Sequence, residues 1–230
     1  RRLVSLVPRR GLLLLGADSA QALELRESSR CPTETFGLSD GADWQASGVR
    51  ITPQGTSFHV RHEGKAFGSF EVPQLGGHNV RNALAALAVG AALGLNATML
   101  AEGLRGFRGV RRRLEALGTK RGVTLYDDFA HHPTAVRETV RAVRGRYPGR
   151  RIVAVFEPRS NTSRRKVFQR EFASALLEAD EVIVAGVFGA EKIPEAERLS
   201  PGEVAAAVRA QGRPAAYIPG VDDIVARLGA

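Results

Sequence analysis

The stretch Gly109–Pro133, GVRRRLEALGTKRGVTLYDDFAHHP, separates two parts of the chain that differ in sequence pattern. Three consecutive arginines open it, a strand-like segment follows, and two aspartates, two histidines and a proline close it. This concentration of cations, carboxylates and imidazoles predicts a junction where two domains meet around a polyanion. We place the boundary at 109–114 and expect one domain over residues 1–110 and another over residues 111–230.

Strands and helices alternate after this stretch, which predicts an α/β, doubly wound domain with a mostly parallel sheet. Arg151–Phe156 carries an uninterrupted apolar run, as in strands buried on both faces of a parallel sheet. Ser200–Glu203 predicts a capped helix start. The other strands are expected at 122–129, 181–187 and 214–218, and the other helices from Pro133, at 168–176 and at 222–228. Because the pattern stops on a helix and crossovers normally return to the sheet, we expect that a last strand is missing.

The first part of the chain combines strands with one strongly patterned helix. Apolar residues recur at helical spacing after Asn79, which predicts a helix that starts there and ends before Gly94. Asn96 is a suitable cap for a second helix. Strands are predicted at 11–16 and 31–36, and alternation over Val49–Val72 predicts a hairpin or small meander with a turn at residues 63–64.

Composition indicates a globular protein that prefers anionic ligands. The net charge of +9 favours nucleic acid, nucleotides, phosphorylated sugars or acidic lipids without choosing among them. Cys31 is the only cysteine, which excludes an internal disulfide and a cysteine-based metal site and favours a reducing, cytoplasmic compartment. No apolar run is long enough to cross a bilayer. The chain opens with Arg1 rather than methionine, so we expect a fragment or a processed piece.

Two groups of residues in and before the junction are candidates for nucleotide contacts. Asn79 and Asn82, preceded by His78, lie three residues apart at the start of the predicted helix, where their amides could meet an adenine edge. Spacing alone favours the simpler interpretation of Asn79 as an N-cap and Asn82 as an exposed residue. For Arg111–Arg113, a phosphate clamp and a solvated charge run remain equally open.

Two polar loops follow predicted strands, and ligands of open α/β sheets bind at the carboxyl ends of strands. Asp127 and Asp128 end one strand, where a carboxylate could hold a ribose hydroxyl or a metal, or serve as a loop and cap residue. His131 and His132 follow as caps or orienting donors; adjacent residues on an extended chain point apart, so the pair alone is no metal site. The second loop, residues 157–162 (EPRSNT), is either a second part of a site or a polar turn with Asn161 or Thr162 as a cap.

No phosphate-binding loop of the G-x-x-x-x-G-K-[ST] type occurs in the chain. The single Gly-Lys pair, Gly64-Lys65, is followed by alanine and has no upstream glycine at the required spacing. If ATP is used, the loop that holds its phosphates lies outside these 230 residues.

Three motifs taken together resemble the Mur ligase family: GHNVRNALAA at 77–86, GVRRRLE at 109–115 and YDDFAHHPT at 126–134. The resemblance implies an ATP-dependent amide ligase of peptidoglycan synthesis with a UDP-sugar domain, a central ATPase domain and a Rossmann-like C-terminal domain. It implies that residues 1–110 are the C-terminal portion of the central domain and residues 111–230 a truncated C-terminal domain. The phosphate loop and the metal ligands would lie upstream, and ATP and Mg²⁺ are the implied cofactors. The chain alone is therefore expected to be inactive.

The resemblance also implies roles for individual residues. Asn79 and Asn82, with His78, would contact the nucleotide base region. Arg113 would reach the γ-phosphate as the catalytic cation, and Arg111 would be solvated. Asp128 would bind the ribose or anchor the nucleotide from the C-terminal domain, and the two histidines would line the same cleft. The implied nucleotide contacts are His78, Asn79, Asn82, Arg113, Asp128 and His131, and the implied substrate contacts are His132, Arg159, Ser160 and Asn161.

Within the family, DDFAHHP and EPRSNT resemble members that join the murein tripeptide L-Ala-γ-D-Glu-meso-diaminopimelate to UDP-N-acetylmuramate. These two molecules are the implied partners, with neither nucleic acid nor a membrane. One alternative is the L-alanine-adding member, which typically has Tyr-Gly in place of Phe129-Ala130. Another is a basic α/β module that binds nucleic acid or has a regulatory function. The last is disfavoured because single-strand binders stack bases on aromatic residues, and none lies within Arg111–Arg113.

Overall fold

The computed structural model describes residues 2–52 and 54–229 and divides the chain into two compact units after Gly109. A five-stranded sheet in the order β1-β2-β3-β4-β5 forms the first unit. β1, β2 and β3 are parallel, whereas β3, β4 and β5 form an antiparallel meander, as alternation over Val49–Val72 predicts. The strands are β1 (Leu13–Gly16), β2 (Thr33–Gly37), β3 (Trp44–Thr52), β4 (Gly55–His62) and β5 (Lys65–Val72).

The helices of the first unit pack their apolar faces on this sheet. Trp44 and Phe58 from the strands meet Val80, Leu84 and Leu87 in one buried cluster, because apolar residues at spacings of three and four fall on one helix face. The helices are α1 (Arg2–Ser5), α2 (Ala20–Leu23), α3 (Gly77–Ala92) and α4 (Ala97–Gly106), and a 3₁₀ turn, Glu24–Ser28, follows α2.

The ends of α3 differ in how well the sequence predicts them. Gly94, with φ of +85°, follows the helix as predicted, and Leu95 N–H donates to the Gly90 carbonyl oxygen at 3.0 Å in a Schellman arrangement. The predicted start at Asn79 is wrong, since the cap position is Gly76, whose φ of +91° suits glycine. Asn96 caps α4 as predicted by accepting from Met99 N–H at 3.0 Å.

The second unit contains a three-stranded parallel sheet in the order β10-β9-β8. Successive residues of β9 face opposite sides: Val182 and Val184 pack with α5, α6 and α7, whereas Ile183 packs with Ile224 of α8. Helices therefore cover both faces, which confirms the doubly wound α/β class. The elements are α5 (Pro133–Arg146), β8 (Val153–Phe156), α6 (Gln169–Leu176), β9 (Glu181–Val184), α7 (Pro201–Ala210), β10 (Ala215–Tyr217) and α8 (Val221–Gly229).

The strand predicted at 122–129 is not hydrogen-bonded into this parallel sheet. It is β7 (Val123–Asp127), and it pairs antiparallel with β6 (Glu115–Lys120), a strand that the sequence did not predict. Arg121 and Gly122 connect them in a two-residue turn with φ of +49° and +79°, the conformation that antiparallel hairpins favour. A hairpin thus stands where a first parallel strand was expected.

Ser200 starts α7 as predicted, but only half of the capping box is formed. The Ser200 hydroxyl accepts from Glu203 N–H at 3.3 Å. The Ser200 N–H donates to Gln169 Oε1 at 2.8 Å, and Gln169 in turn donates to the Glu203 carboxylate at 2.6 Å. The start of α7 is thereby joined to the start of α6. Among residues 2–52 and 54–229, no helix has the length and hydropathy to cross a membrane.

Replacing Leu84 with alanine is expected to lower the free energy of unfolding of the first unit by about 2–5 kcal/mol, because a cavity forms in its core. Leu84 is 0% exposed, and Trp44, the only tryptophan, lies in the same cluster. Urea unfolding followed by tryptophan fluorescence measures the change. Leu93→Ala is the control, because Leu93 is 77% exposed and its loss should cost less than about 0.5 kcal/mol. Equal losses in the two variants would contradict this packing.

Candidate functional site

The second unit contains a cleft of about 850 Å³ lined by β7 with the loop after it, by α5, and by β8 with the loop after it. Four predicted site residues line this cleft: Asp128, His131, Arg159 and Ser160. Arg113, His132 and Asn161 are not among its lining residues. The two strand-end loops that the sequence singled out thus contribute side chains to one concave surface.

Asp128 fixes the backbone at both ends of the β6–β7 hairpin. One carboxylate oxygen accepts from Leu114 N–H at 2.6 Å and the other from Ala130 N–H at 2.7 Å. Leu114 has a φ of +50°, which costs a leucine free energy that the charged hydrogen bond offsets. A carboxylate has about four acceptor sites, so Asp128 still has lone pairs for a hydroxyl group in the cleft.

Within the arginine triplet, the structural role belongs to Arg112. Its Nε lies 3.4 Å from Asp127 Oδ2, and its guanidinium carbon lies 5.1 Å from the Phe129 ring centroid. Its carbonyl oxygen accepts from Phe129 N–H at 2.8 Å. Among the described residues no carboxylate pairs with Arg113, whose exposed guanidinium is available to an anion. Three adjacent arginines in a sequence do not indicate which of them makes these contacts.

The two histidines differ in hydrogen bonding. His131 Nδ1 lies 2.9 Å from the Phe129 carbonyl oxygen, so Nδ1 carries the proton that is donated to this oxygen. His132 is the N-cap of α5, and its Nδ1 accepts from Thr134 N–H at 3.4 Å. Its ring also lies edge-on to Phe168 at 4.9 Å. The cap interpretation therefore holds for His132 alone.

Tyr126 and Tyr147 join β7 to the end of α5 on the cleft wall. Their hydroxyl oxygens lie 2.8 Å apart. Burial, followed by this hydrogen bond, raises the pKa of Tyr126 to about 12, so its phenol remains neutral across the physiological range. The pair adds a polar contact to a wall that is otherwise largely apolar.

Ser163, which the sequence did not single out, organises the loop after β8. It is 0% exposed, and its Oγ accepts from Arg159 N–H at 3.1 Å and from Ser160 N–H at 3.0 Å. The Ser160 hydroxyl also donates to it at 2.9 Å. These bonds fix the backbone of two predicted substrate contacts. A buried serine cannot be recognised from sequence, because serine is mostly exposed in proteins.

The side chains of the same loop are held apart from one another. Arg159 places its guanidinium 4.3 Å from the Phe188 ring centroid and 3.6 Å from the Glu157 carboxylate. Asn161 Oδ1 accepts from Arg164 at 2.6 Å, and neither Asn161 nor Thr162 caps a helix. Arg159 lines the cleft, whereas the Asn161 side-chain carbonyl already accepts a hydrogen bond from Arg164.

In the first unit, His78, Asn79 and Asn82 lie together at the start of α3. Asn79 donates to the Leu75 carbonyl oxygen at 2.8 Å and lies 3.1 Å from His78 Nε2. Asn82 Nδ2 donates to Asn79 Oδ1 at 3.3 Å. Asn79 sits inside the first turn, so its interpretation as an N-cap is wrong. Its amide orients the exposed Asn82, which is the better placed of the two to contact a ligand.

The described residues contain no group of three or more His, Cys, Asp or Glu side chains that could hold a metal ion. The arginines around the cleft suit an anionic ligand, since guanidinium groups match carboxylate and phosphate oxygens.

Comparison with known protein families gives two matches that together span most of the chain. The profile of the Mur ligase middle domain matches residues 1–90, and that of the Mur ligase glutamate ligase domain matches residues 112–229. Both parts defined by the sequence pattern therefore have counterparts in one family, in the same order.

Individual proteins that match the chain also belong to the Mur ligases. UDP-N-acetylmuramate–L-alanine ligase of Caldanaerobacter subterraneus subsp. tengcongensis is 33% identical over 99% of this chain and 49% of its own length. The structure of a murein peptide ligase from Psychrobacter arcticus matches with 27% identity and a TM-score of 0.66, over 98% of this chain and 47% of that one. The Thermotoga maritima UDP-N-acetylmuramate–alanine ligase matches with 25% identity and a TM-score of 0.69, over 83% and 40%. The chain thus spans about half the length of these relatives.

Ser163→Ala is expected to lower the free energy of unfolding of the second unit by about 1 kcal/mol, because two partly buried N–H groups lose their acceptor. All three tyrosines lie in this unit, so thermal unfolding followed by near-ultraviolet circular dichroism reports on it. Thr162→Ala, at the exposed neighbouring position, is the control and should unfold at the wild-type temperature. A Ser163→Ala protein that also unfolds there would show that the loop does not need this acceptor.

Proposed function

Because this chain belongs to the Mur ligase family, we propose that the full-length protein is an ATP-dependent amide ligase that acts on UDP-N-acetylmuramate in peptidoglycan metabolism. The observation that carries the proposal is the match of two consecutive Mur ligase domains, over residues 1–90 and 112–229. The cleft of the second unit supports it, because it combines an oriented arginine with a carboxylate and an imidazole. The chain spans about half of its relatives, so the activity is proposed for the whole protein.

The proposed reaction has two steps. ATP first phosphorylates the lactyl carboxylate of UDP-N-acetylmuramate to an acyl phosphate, with Mg²⁺ bound outside the described residues. The amine of the incoming substrate then attacks the acyl carbon, the new C–N bond forms, and inorganic phosphate leaves. Positioning and charge neutralisation account for most of the catalysis of phosphoryl transfer. The residues of this chain would contribute those two effects.

We assign roles within each unit according to the geometry. Asn82, oriented by Asn79 and His78, contacts the base region of the nucleotide. Arg113 neutralises charge on the transferred phosphoryl group, a role that its exposed guanidinium supports. In the second unit, Asp128 and His131 are proposed to contact the nucleotide, and His132 to contact the substrate from its cap position at the start of α5.

The incoming amine is proposed to be the murein tripeptide L-Ala-γ-D-Glu-meso-diaminopimelate. Its several carboxylates need a cation, and Arg159 stands in the cleft between Phe188 and Glu157. Ser160 and Asn161, in the same loop, are proposed to contact the substrate together with Arg159. The EPRSNT sequence of this loop is what favours the tripeptide over a single amino acid.

Free L-alanine is the second candidate amine. It is supported by the named activity of the Caldanaerobacter relative, which is 33% identical over 229 residues. L-alanine carries one carboxylate and would not require both Arg159 and the extended polar loop.

Arg113→Ala in the full-length protein is expected to slow ATP-dependent ligation about a hundredfold, because one preorganised cation is lost from the transition state. Arg111→Ala should stay within about twofold of wild type, because we propose that Arg111 is solvated and makes no contact with the phosphoryl group. Steady-state phosphate release at saturating substrates measures both. Equal losses in the two variants would remove the distinction between these arginines.

The two candidate amines are separated by kcat/KM measured with the tripeptide and with L-alanine at fixed ATP and UDP-N-acetylmuramate. We expect at least about a tenfold preference for the tripeptide, since Arg159 then makes a charged hydrogen bond that L-alanine lacks. Arg159→Ala should raise KM for the tripeptide while KM for ATP stays the same. A preference of the wild-type protein for L-alanine would assign the second candidate.

A further inference from the structure

Asp18, just after the carboxyl end of β1, accepts four hydrogen bonds from two segments that are distant in sequence. Its carboxylate accepts from Leu38 N–H at 3.2 Å and from Ser39 N–H at 3.1 Å. It also accepts from the Ser39 hydroxyl. Arg81 Nε donates to it at 2.6 Å across 63 residues of sequence. One side chain thus joins the β1–α2 turn, the β2–β3 loop and α3.

The surroundings leave little room for other arrangements. A Cβ atom on Gly37 would lie 3.0 Å from Asp18 Oδ1, so a larger residue there would push the carboxylate away. Burial raises the pKa of Asp18, but hydrogen bonds from Ser39, Arg81 and Leu38 outweigh it and lower the pKa from 3.8 to about 2. The carboxylate therefore keeps its charge, and its hold on Arg81, throughout the neutral range.

The three elements meet at the edge of the sheet where β1 and β2 end, and ligands of α/β sheets bind at such edges. Arg81 lies in α3 between Asn79 and Asn82, the residues assigned to the nucleotide. A shift of the first turns of α3 would carry both asparagines with it. Hydrogen bonds within α3 alone do not fix where these turns lie relative to the sheet.

We propose that Asp18 is a positioning residue for nucleotide binding: through Arg81 it fixes the start of α3, and with it Asn79 and Asn82, against the strand ends. The inference rests on the proposed function, since it assumes that these asparagines contact ATP. Asp18 itself touches no nucleotide in this proposal. Removing its charge is expected to change nucleotide affinity and leave the chemical step intact.

The test uses the full-length protein with Asp18→Asn, which keeps the size and shape of the side chain but cannot hold Arg81 as an ion pair. We expect the Kd for ADP and the KM for ATP to rise about tenfold, with kcat within about twofold. Asp40→Asn is the control, because Asp40 is an exposed carboxylate of the same loop that accepts from Gln45 at 2.7 Å. It should leave both constants unchanged.

A double-mutant cycle tests whether Asp18 and Arg81 affect nucleotide affinity through their shared ion pair or through a general loss of stability. Arg81→Gln should weaken ADP binding about as much as Asp18→Asn, and the double variant should be no weaker than either single variant. Arg81→Lys should restore part of the affinity. Trp44 fluorescence verifies that every variant is folded at the assay temperature, and a variant that is not is measured at a lower one.

The outcomes distinguish the positioning role of Asp18 from the proposed ligase activity. Equal ADP affinity in wild type and Asp18→Asn would overturn the positioning role and leave the ligase proposal standing. Independent, multiplying effects of the Asp18 and Arg81 variants would overturn it as well. A wild-type protein that neither binds ADP nor uses ATP would contradict the proposed function, and this inference with it.

Discussion

The hydrogen bonds of the Asp128 carboxylate are the interaction on which the candidate site depends. They join a leucine with positive φ before the β6–β7 hairpin to the loop that leads into α5. Without them the hairpin keeps its own strand pairing, the tyrosine contact, and the bonds from Arg150 to the Gly122 carbonyl oxygen and from Phe129 N–H to the Arg112 carbonyl oxygen. The same loop carries His131 into the cleft and leaves His132 to cap the helix. A single carboxylate therefore determines where two predicted ligand contacts lie.

Asp18 in the first unit and Asp128 in the second unit use the same physical device. Asp18 accepts two backbone N–H groups from the β2–β3 loop, and Asp128 accepts one from Leu114 before the hairpin and one from Ala130 in its own loop. Each aspartate lies just past the carboxyl end of a strand. A charged acceptor suits this position, because strand-end loops have few regular hydrogen bonds and their N–H groups need partners. Loops that carry ligand contacts are thereby held in one conformation without regular secondary structure.

Much of the fold could be predicted from the sequence because apolar periodicity and cap residues are local signals. The stripe along α3, Gly94 after it, Asn96 before α4 and Pro133 at the start of α5 all stand where the pattern placed them. β6 was missed because its sequence, EALGTK, is poor in β-branched and aromatic residues. Only the Arg121-Gly122 turn indicated a hairpin, and a positive φ at arginine is not visible in sequence.

The candidate site was less predictable, for a different reason. The sequence motifs identified the loops after two strands and four residues of the cleft. These positions were predictable because loops at the carboxyl ends of strands carry the ligand contacts of α/β sheets. The division of labour between Arg112 and Arg113, and the roles of Ser163 and Asp18, follow from contacts between residues far apart in sequence. Ser163 and Asp18 also belong to residue types that are ordinary in loops. Only the structure shows that the side-chain oxygens of Ser163 and Asp18 each accept several hydrogen bonds from other parts of the chain.

The open side of β8 has a consequence for handling this chain. Among the described strands, β8 is hydrogen-bonded to β9 alone, and Val155 on it is 48% exposed. A strand edge whose N–H and C=O groups have no strand partner is a template for pairing with a strand of another molecule. Such pairing grows with concentration and resists dilution once many chains have joined. Pairing between copies at this edge would also occupy the cleft wall, because Val155 lines the cleft, and a lysine at position 155 would disfavour that pairing.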